Sequence, residues 1–173
     1  WPVTIQAAQN SRDFTLEPSF FAADMELSPG AWTITGNATT GQWVRVNPNG
    51  SGGGLIAPED DHTLAPGVIA WVTGQGTIGG GIGDADVDNG NTVLTTTIFN
   101  LSTLADPYLS YWRWFVNDGN GEVDDPWLVE VSSDGGTSWV TIENTLVTQA
   151  SWREITIRIA DYLTLPTSQF RVR

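Results

Sequence analysis

Apolar residues never run far in this chain before a glycine, proline, asparagine or aspartate interrupts them, and within each short window they tend to alternate. Alternation marks a strand with one face on a core, because successive side chains point to opposite faces. Nine segments qualify: AWTITG (31–36), QWVRV (42–46), VIAWVTG (68–74), NTVLTTTIFN (91–100), YLSYWRWFV (108–116), WLVEVSS (127–133), SWVTIEN (138–144), WREITIRI (152–159) and SQFRVR (168–173). Helical periodicity is hard to find anywhere. The chain is therefore expected to be all-β, a two-sheet antiparallel β-sandwich of jelly-roll type. No fixed repeat argues for a propeller or a solenoid.

The 173 residues, 40% of them apolar, can bury one core, so a single module spanning 1–173 is expected, cut from a larger secreted protein. Twenty acidic side chains face seven basic ones, all arginine, which excludes nucleic acid as a partner class. Lysine and cysteine are absent, and with them go disulfides, thiolate nucleophiles, Schiff bases and Cys-ligated zinc. No apolar run is long enough to imply membrane insertion. A composition rich in Asp, Asn, Gly, Thr and Trp points to a secreted or cell-surface location in bacteria.

Chemistry could sit in three acidic clusters. GDADVDNGNT (83–92) sets Asp84, Asp86 and Asp88 at alternate positions before Asn89-Gly90, like the first half of a calcium loop. The twelfth position is Thr95 where an EF-hand needs Glu, so an EF-hand is excluded. Three carboxylates so close repel one another unless a cation or water separates them, and Ca2+ suits oxygen ligands; solvated turn residues are the alternative. PEDDHT (58–63) holds Asp60, Asp61 and the only histidine, His62, inside a long glycine-rich loop (47–67). His62 or Thr63 is expected to tie that loop to the sandwich, with Asp61 as a cation ligand or turn cap. NDGNGEVDDPW (117–127) adds Asp118, Glu122, Asp124 and Asp125, one of which, Asp125 for choice, could share an ion with the earlier loop.

A fourth stretch, SSDGGTSW (132–139), has the Asp-box spacing Ser-x-Asp-x-Gly-x-x-Trp, in which the Asp caps a hairpin and the Trp packs beneath it. One copy predicts a structural hairpin. The best lead to a ligand is aromatic. Alternation in YLSYWRWFV puts Tyr108, Ser110, Trp112 and Trp114 on one face and Leu109, Tyr111, Arg113 and Phe115 on the other. With aromatics on both faces, either the strand is covered on both sides or one face is a platform for a flat ligand such as a sugar ring. Tyr111, Trp112, Arg113 and Trp114 are thus candidate ligand-binding residues.

Taken together, DHTLAPGVIAWVTG, DVDNGNTVLTTTIFNLS, PYLSYWRWFVND and DPWLVEVSSDGGTSWVTIE resemble the MAM-like, cleaved-adhesin-like jelly-roll modules of secreted bacterial proteins, over roughly residues 20–160. The resemblance implies a non-catalytic accessory module with adhesive or carbohydrate-binding roles, commonly holding a structural calcium. This chain departs from the pattern at Thr96-Thr97 and Asn100, and lacks the disulfides of animal MAM domains. The expected partners are a glycan or cell-surface polymer and the adjacent domains of the parent protein. Competing classes are a jelly-roll glycoside hydrolase or lyase, for which Glu130 and Glu143 are the main strand carboxylates, and a structural spacer of a secreted peptidase.

Overall fold

Short β-branched and aromatic windows favour a pleated, half-buried backbone, and the chain forms strands at all nine expected places. The computed structural model describes residues 20–52, 56–117, 123 and 125–173. In chain order the strands are β1 (Thr33–Gly36), β2 (Trp43–Val46), β3 (Ala70–Thr73), β4 (Thr92–Thr95), β5 (Tyr108–Phe115), β6 (Trp127–Ser132), β7 (Val140–Thr145), β8 (Gln149–Arg158) and β9 (Arg171–Val172). A 3-10 turn at Ile159–Asp161 follows β8. The protein is all-β, and every strand ladder is antiparallel.

The ladders are β1–β4, β2–β3, β5–β8 and β7–β6–β9. The fourth expected strand, 91–100, is split between two partners. Its first half pairs with β1, and beyond Thr95 the chain turns to β9. There the Thr96 N–H reaches the Val172 carbonyl at 2.9 Å, and Phe99 and Phe170 exchange backbone hydrogen bonds. Strand β2 lies beside this seam, since the Trp43 N–H donates to the Thr92 hydroxyl at 3.1 Å.

Leu101, Val131, Ile159 and Phe170 form the buried core, with Phe99, Leu104, Leu109, Ile142, Leu163, Leu165 and Val172 packed around it. This core draws on β5, β6, β7 and β9, so the β5–β8 ladder is tied to the β7–β6–β9 ladder through the side chains of its inner face. A polar cluster continues the contact. Glu143 of β7 accepts from Tyr111 Oη at 2.5 Å and from Arg113 Nε and Nη2 at 2.9 and 2.6 Å, all of β5.

The β6–β7 connection is the Asp-box hairpin. Ser132, fully buried, accepts from the Gly136 N–H at 2.8 Å and donates to Asp134 Oδ1 at 2.7 Å. Asp134 in turn accepts the N–H groups of Thr137 and Ser138 and the Ser138 hydroxyl. Those bonds, the Ser138 hydroxyl foremost, hold its carboxyl far below the usual carboxylate range. Trp139 closes the turn through its indole N–H to the Gly136 carbonyl. The hairpin is structural, as its spacing predicts.

Candidate functional site

The outward face of the β5–β8 ladder is built by two strands read in register. Tyr108 lies opposite Arg158, Ser110 opposite Thr156 and Trp112 opposite Glu154, after which an irregularity between Arg113 and Phe115 shifts the pairing. Strand alternation therefore lines one face with Tyr108, Ser110, Trp112 and Trp114 from β5 and with Trp152, Glu154, Thr156 and Arg158 from β8. Tyr108 is 59% and Trp112 43% exposed, large apolar rings left in water. Between them the Thr156 hydroxyl contacts Ser110 Oγ at 3.3 Å, and Ser110 donates to Glu154 at 2.8 Å. Arg158 is spoken for by Asp106 and Asp161 at 2.8 and 2.9 Å.

Residues 56–63 cover the far end of this face, and the indoles hold them there. Trp114 Nε1 donates to the Ile56 carbonyl at 2.9 Å and Trp152 Nε1 to the Asp60 carbonyl at 3.1 Å. His62 stacks on Trp112 with centroids 4.8 Å apart and rings within 19° of parallel, and it touches Trp152 at 5.6 Å. Trp114 and Trp152 meet edge to face at 6.1 Å. The expectation that His62 ties the long loop to the sandwich is met through ring stacking. Thr63 donates its hydroxyl to Asp61 within the loop itself.

Under this loop lies a cleft of about 330 Å³, lined by Pro58, Glu59, Asp60, Asp61, Trp114 and Trp152. Its charge is wholly negative. Burial pushes the His62 pKa down, outweighing the opposing pull of Asp61 and Glu154, so the neighbouring imidazole tends to the neutral form.

The four aromatic-strand candidates part company. Trp112 and Trp114 belong to the outward face just described. Tyr111 and Arg113 point inward, and Arg113 is 6% exposed and paired with Glu143. Trp127 Nε1 donates to the same carboxylate at 3.1 Å. Burial first, and then the Glu143 hydrogen bond, push the Tyr111 phenol well above its ordinary value. These two side chains join the sheets and do not line the outer face.

The metal-ligand candidates are not brought to one centre. Asp84 Oδ2 accepts the Thr77 N–H and hydroxyl, both at 2.7 Å, and these bonds hold its carboxyl below the usual range. The Thr40 hydroxyl donates to the Asp86 carbonyl at 2.8 Å and to Asp88 Oδ2 at 3.1 Å. The Thr39 N–H donates to the Asp88 carbonyl at 2.9 Å. Asp61 lies in the loop over the aromatic face, and Asp125 is exposed ahead of β6. Asp118, Glu122 and Asp124 lie outside the described residues. Among the described residues no group of three or more His, Asp or Glu side chains is placed to share an ion. Threonines reaching in from two other segments donate hydrogen bonds to the acidic run.

Sequence reasoning missed Trp152 and Glu154 as members of the aromatic face. The signal was present, since WREITIRI alternates like its partner strand. What it lacked was the register that sets Glu154 beside Trp112. Comparison of the chain with protein-family models, with curated proteins and with solved structures gives no match.

Proposed function

We propose that this chain is a non-catalytic accessory module of MAM-like, jelly-roll type, secreted or displayed at the bacterial surface beside other domains of its parent. Its outward β5–β8 face binds glycan or a similar cell-surface polymer. One observation carries the reading: Tyr108 and the part of Trp112 that His62 leaves uncovered are exposed on the same side of one strand, with hydroxyls and a carboxylate between them. Four residues of strand separate the two rings by about 13 Å, which suits an extended chain of rings better than one small molecule. Flat apolar faces with hydrogen-bonding groups alongside match the two sides of a pyranose ring.

A glycan array probed with the isolated chain tests this. Binding is expected, and Tyr108→Ala and Trp112→Ala should each weaken it about tenfold, or about 1.4 kcal/mol. Tyr108→Ala should leave the melting temperature unchanged, because that ring is largely in solvent. An empty array, or variants that bind like wild type, would remove the glycan reading and leave the spacer role.

The hydrolase reading loses its two strand carboxylates. Glu143 carries four hydrogen bonds from Tyr111, Arg113 and Trp127, and Glu130 pairs with Arg173 at 2.6 Å. Neither is free to act as an acid or base facing a substrate. Release of reducing sugar by the isolated chain would reinstate it.

Calcium is a separable proposal that rests on the alternation of Asp84, Asp86 and Asp88. An ion that binds only the folded state raises stability logarithmically with its free concentration. Calcium added to EDTA-stripped protein should then raise the melting temperature, while superimposable curves would remove the ion without touching the aromatic face.

A further inference from the structure

We propose that the cleft between residues 58–61 and the indoles of Trp114 and Trp152 receives the protonated amine of an amino sugar, so that the face selects cationic glycans. The proposal rests on the glycan reading above and names its substrate class. Asp61 carries the argument. It lines the cleft at 8% exposure, and it accepts a hydrogen bond from a neutral hydroxyl, that of Thr63. A carboxylate so buried normally has a cationic partner, because burying an isolated charge is costly. None of the ion pairs among the described residues reaches Asp61, or the neighbouring Glu59 and Asp60. The chain has no lysine to supply one.

The walls favour the same kind of ligand. Both indole N–H groups are committed to the Ile56 and Asp60 carbonyls, so what the two indoles offer the cleft is ring carbon. Two indoles set at 78° beside three carboxylates attract an ammonium through both the ring quadrupole and charge. At about 330 Å³ the cleft is at the lower end of small-molecule sites, room for one sugar unit and little more. It adjoins the open face through His62, which touches Trp112 on one side and Trp152 on the other. A chain of rings lying on Tyr108 and Trp112 would thus bring one unit to the carboxylates. Sulfated or uronic glycans meet like charge there and are disfavoured.

The test is calorimetric titration at about pH 6, above the carboxylate range, and about 0.15 M ionic strength to suppress long-range attraction. The probes are a glucosamine tetramer, its N-acetylated counterpart, cellotetraose and tetralysine. The glucosamine tetramer should bind at least tenfold tighter than each of the others; Asp61→Asn should abolish that preference, and Glu59→Gln/Asp60→Asn, which leaves the buried carboxylate in place, should weaken it. Equal binding of the acetylated or neutral tetramers overturns the amine assignment while the glycan reading stands. Equal binding of tetralysine, or a preference that survives unchanged in both variants, also overturns it. If no saccharide binds, both readings fall.

Discussion

Glu143→Ala is expected to destabilise the fold by about 3–5 kcal/mol, as breaking one side of a buried ion pair does. The carboxylate sits 14% exposed between two ladders and, among the described residues, holds the Arg113 guanidinium, itself 6% exposed, through two hydrogen bonds. Arg113 Nη1 is already buried without a partner, so no spare acceptor is at hand when Glu143 goes. Tyr111 and Trp127 lose their acceptor as well. Urea denaturation measures the effect. The double variant Arg113→Met/Glu143→Met should recover most of the loss, because replacing both charges removes the desolvation cost along with the attraction. A Glu143→Ala protein within about 1 kcal/mol of wild type, below the range for a broken buried pair, would show that the cluster is solvated and does not join the sheets.

The same cluster gives the alkaline limb of stability a direction. Burial and Glu143 raise the Tyr111 phenol in the folded state, while the unfolded phenol titrates near 10. The neutral phenol is favoured by folding. Its contribution is full below about pH 10 and falls away as the pH rises from there toward the folded value. Tyr111→Phe should flatten that part of the profile.

What could be read from the sequence was what neighbours along the chain decide. The nine strands were legible because alternation and turn residues are local signals, and the hairpin around Asp134 was legible because the side-chain hydrogen bonds of Ser132 and Asp134 fall within residues 132–138. The two faces of β5 followed from alternation too. Which face would turn to the core did not, because that depends on Glu143 waiting on another ladder, thirty residues beyond Arg113. The aromatic site was half legible for the same reason: Trp112 and Trp114 announce themselves, but Trp152 and the 56–63 loop arrive through long-range register and packing. The acidic run shows the limit most plainly. Spacing presents Asp84, Asp86 and Asp88 as a set, whereas the fold gives Asp84 to Thr77 and the Asp86–Asp88 stretch to Thr39 and Thr40, more than forty residues upstream.

Gly41→Ala is the variant that probes that docking, with an expected cost of about 1–2 kcal/mol for the left-handed backbone and a further 1–3 kcal/mol or so for overpacking. Gly41 has φ +68°, and a Cβ there would stand 2.6 Å from the Asp86 carbonyl oxygen and from the Val87 N and Cα. All three are backbone atoms, so the contact cannot be relieved by swinging a side chain aside. The acidic run must back away, and with it go the Thr39 and Thr40 hydrogen bonds to Asp86 and Asp88. Gly79 supplies the control, since it has φ +74° with nothing within 4 Å of its would-be Cβ. Gly79→Ala bears the conformational term alone, so the gap between the two variants in urea denaturation isolates the close approach. Equal losses would mean that residues 83–90 are not held against the β1–β2 turn. The threonine account of the aspartates would then give way to one in which something outside the chain, a hard cation foremost, organises them.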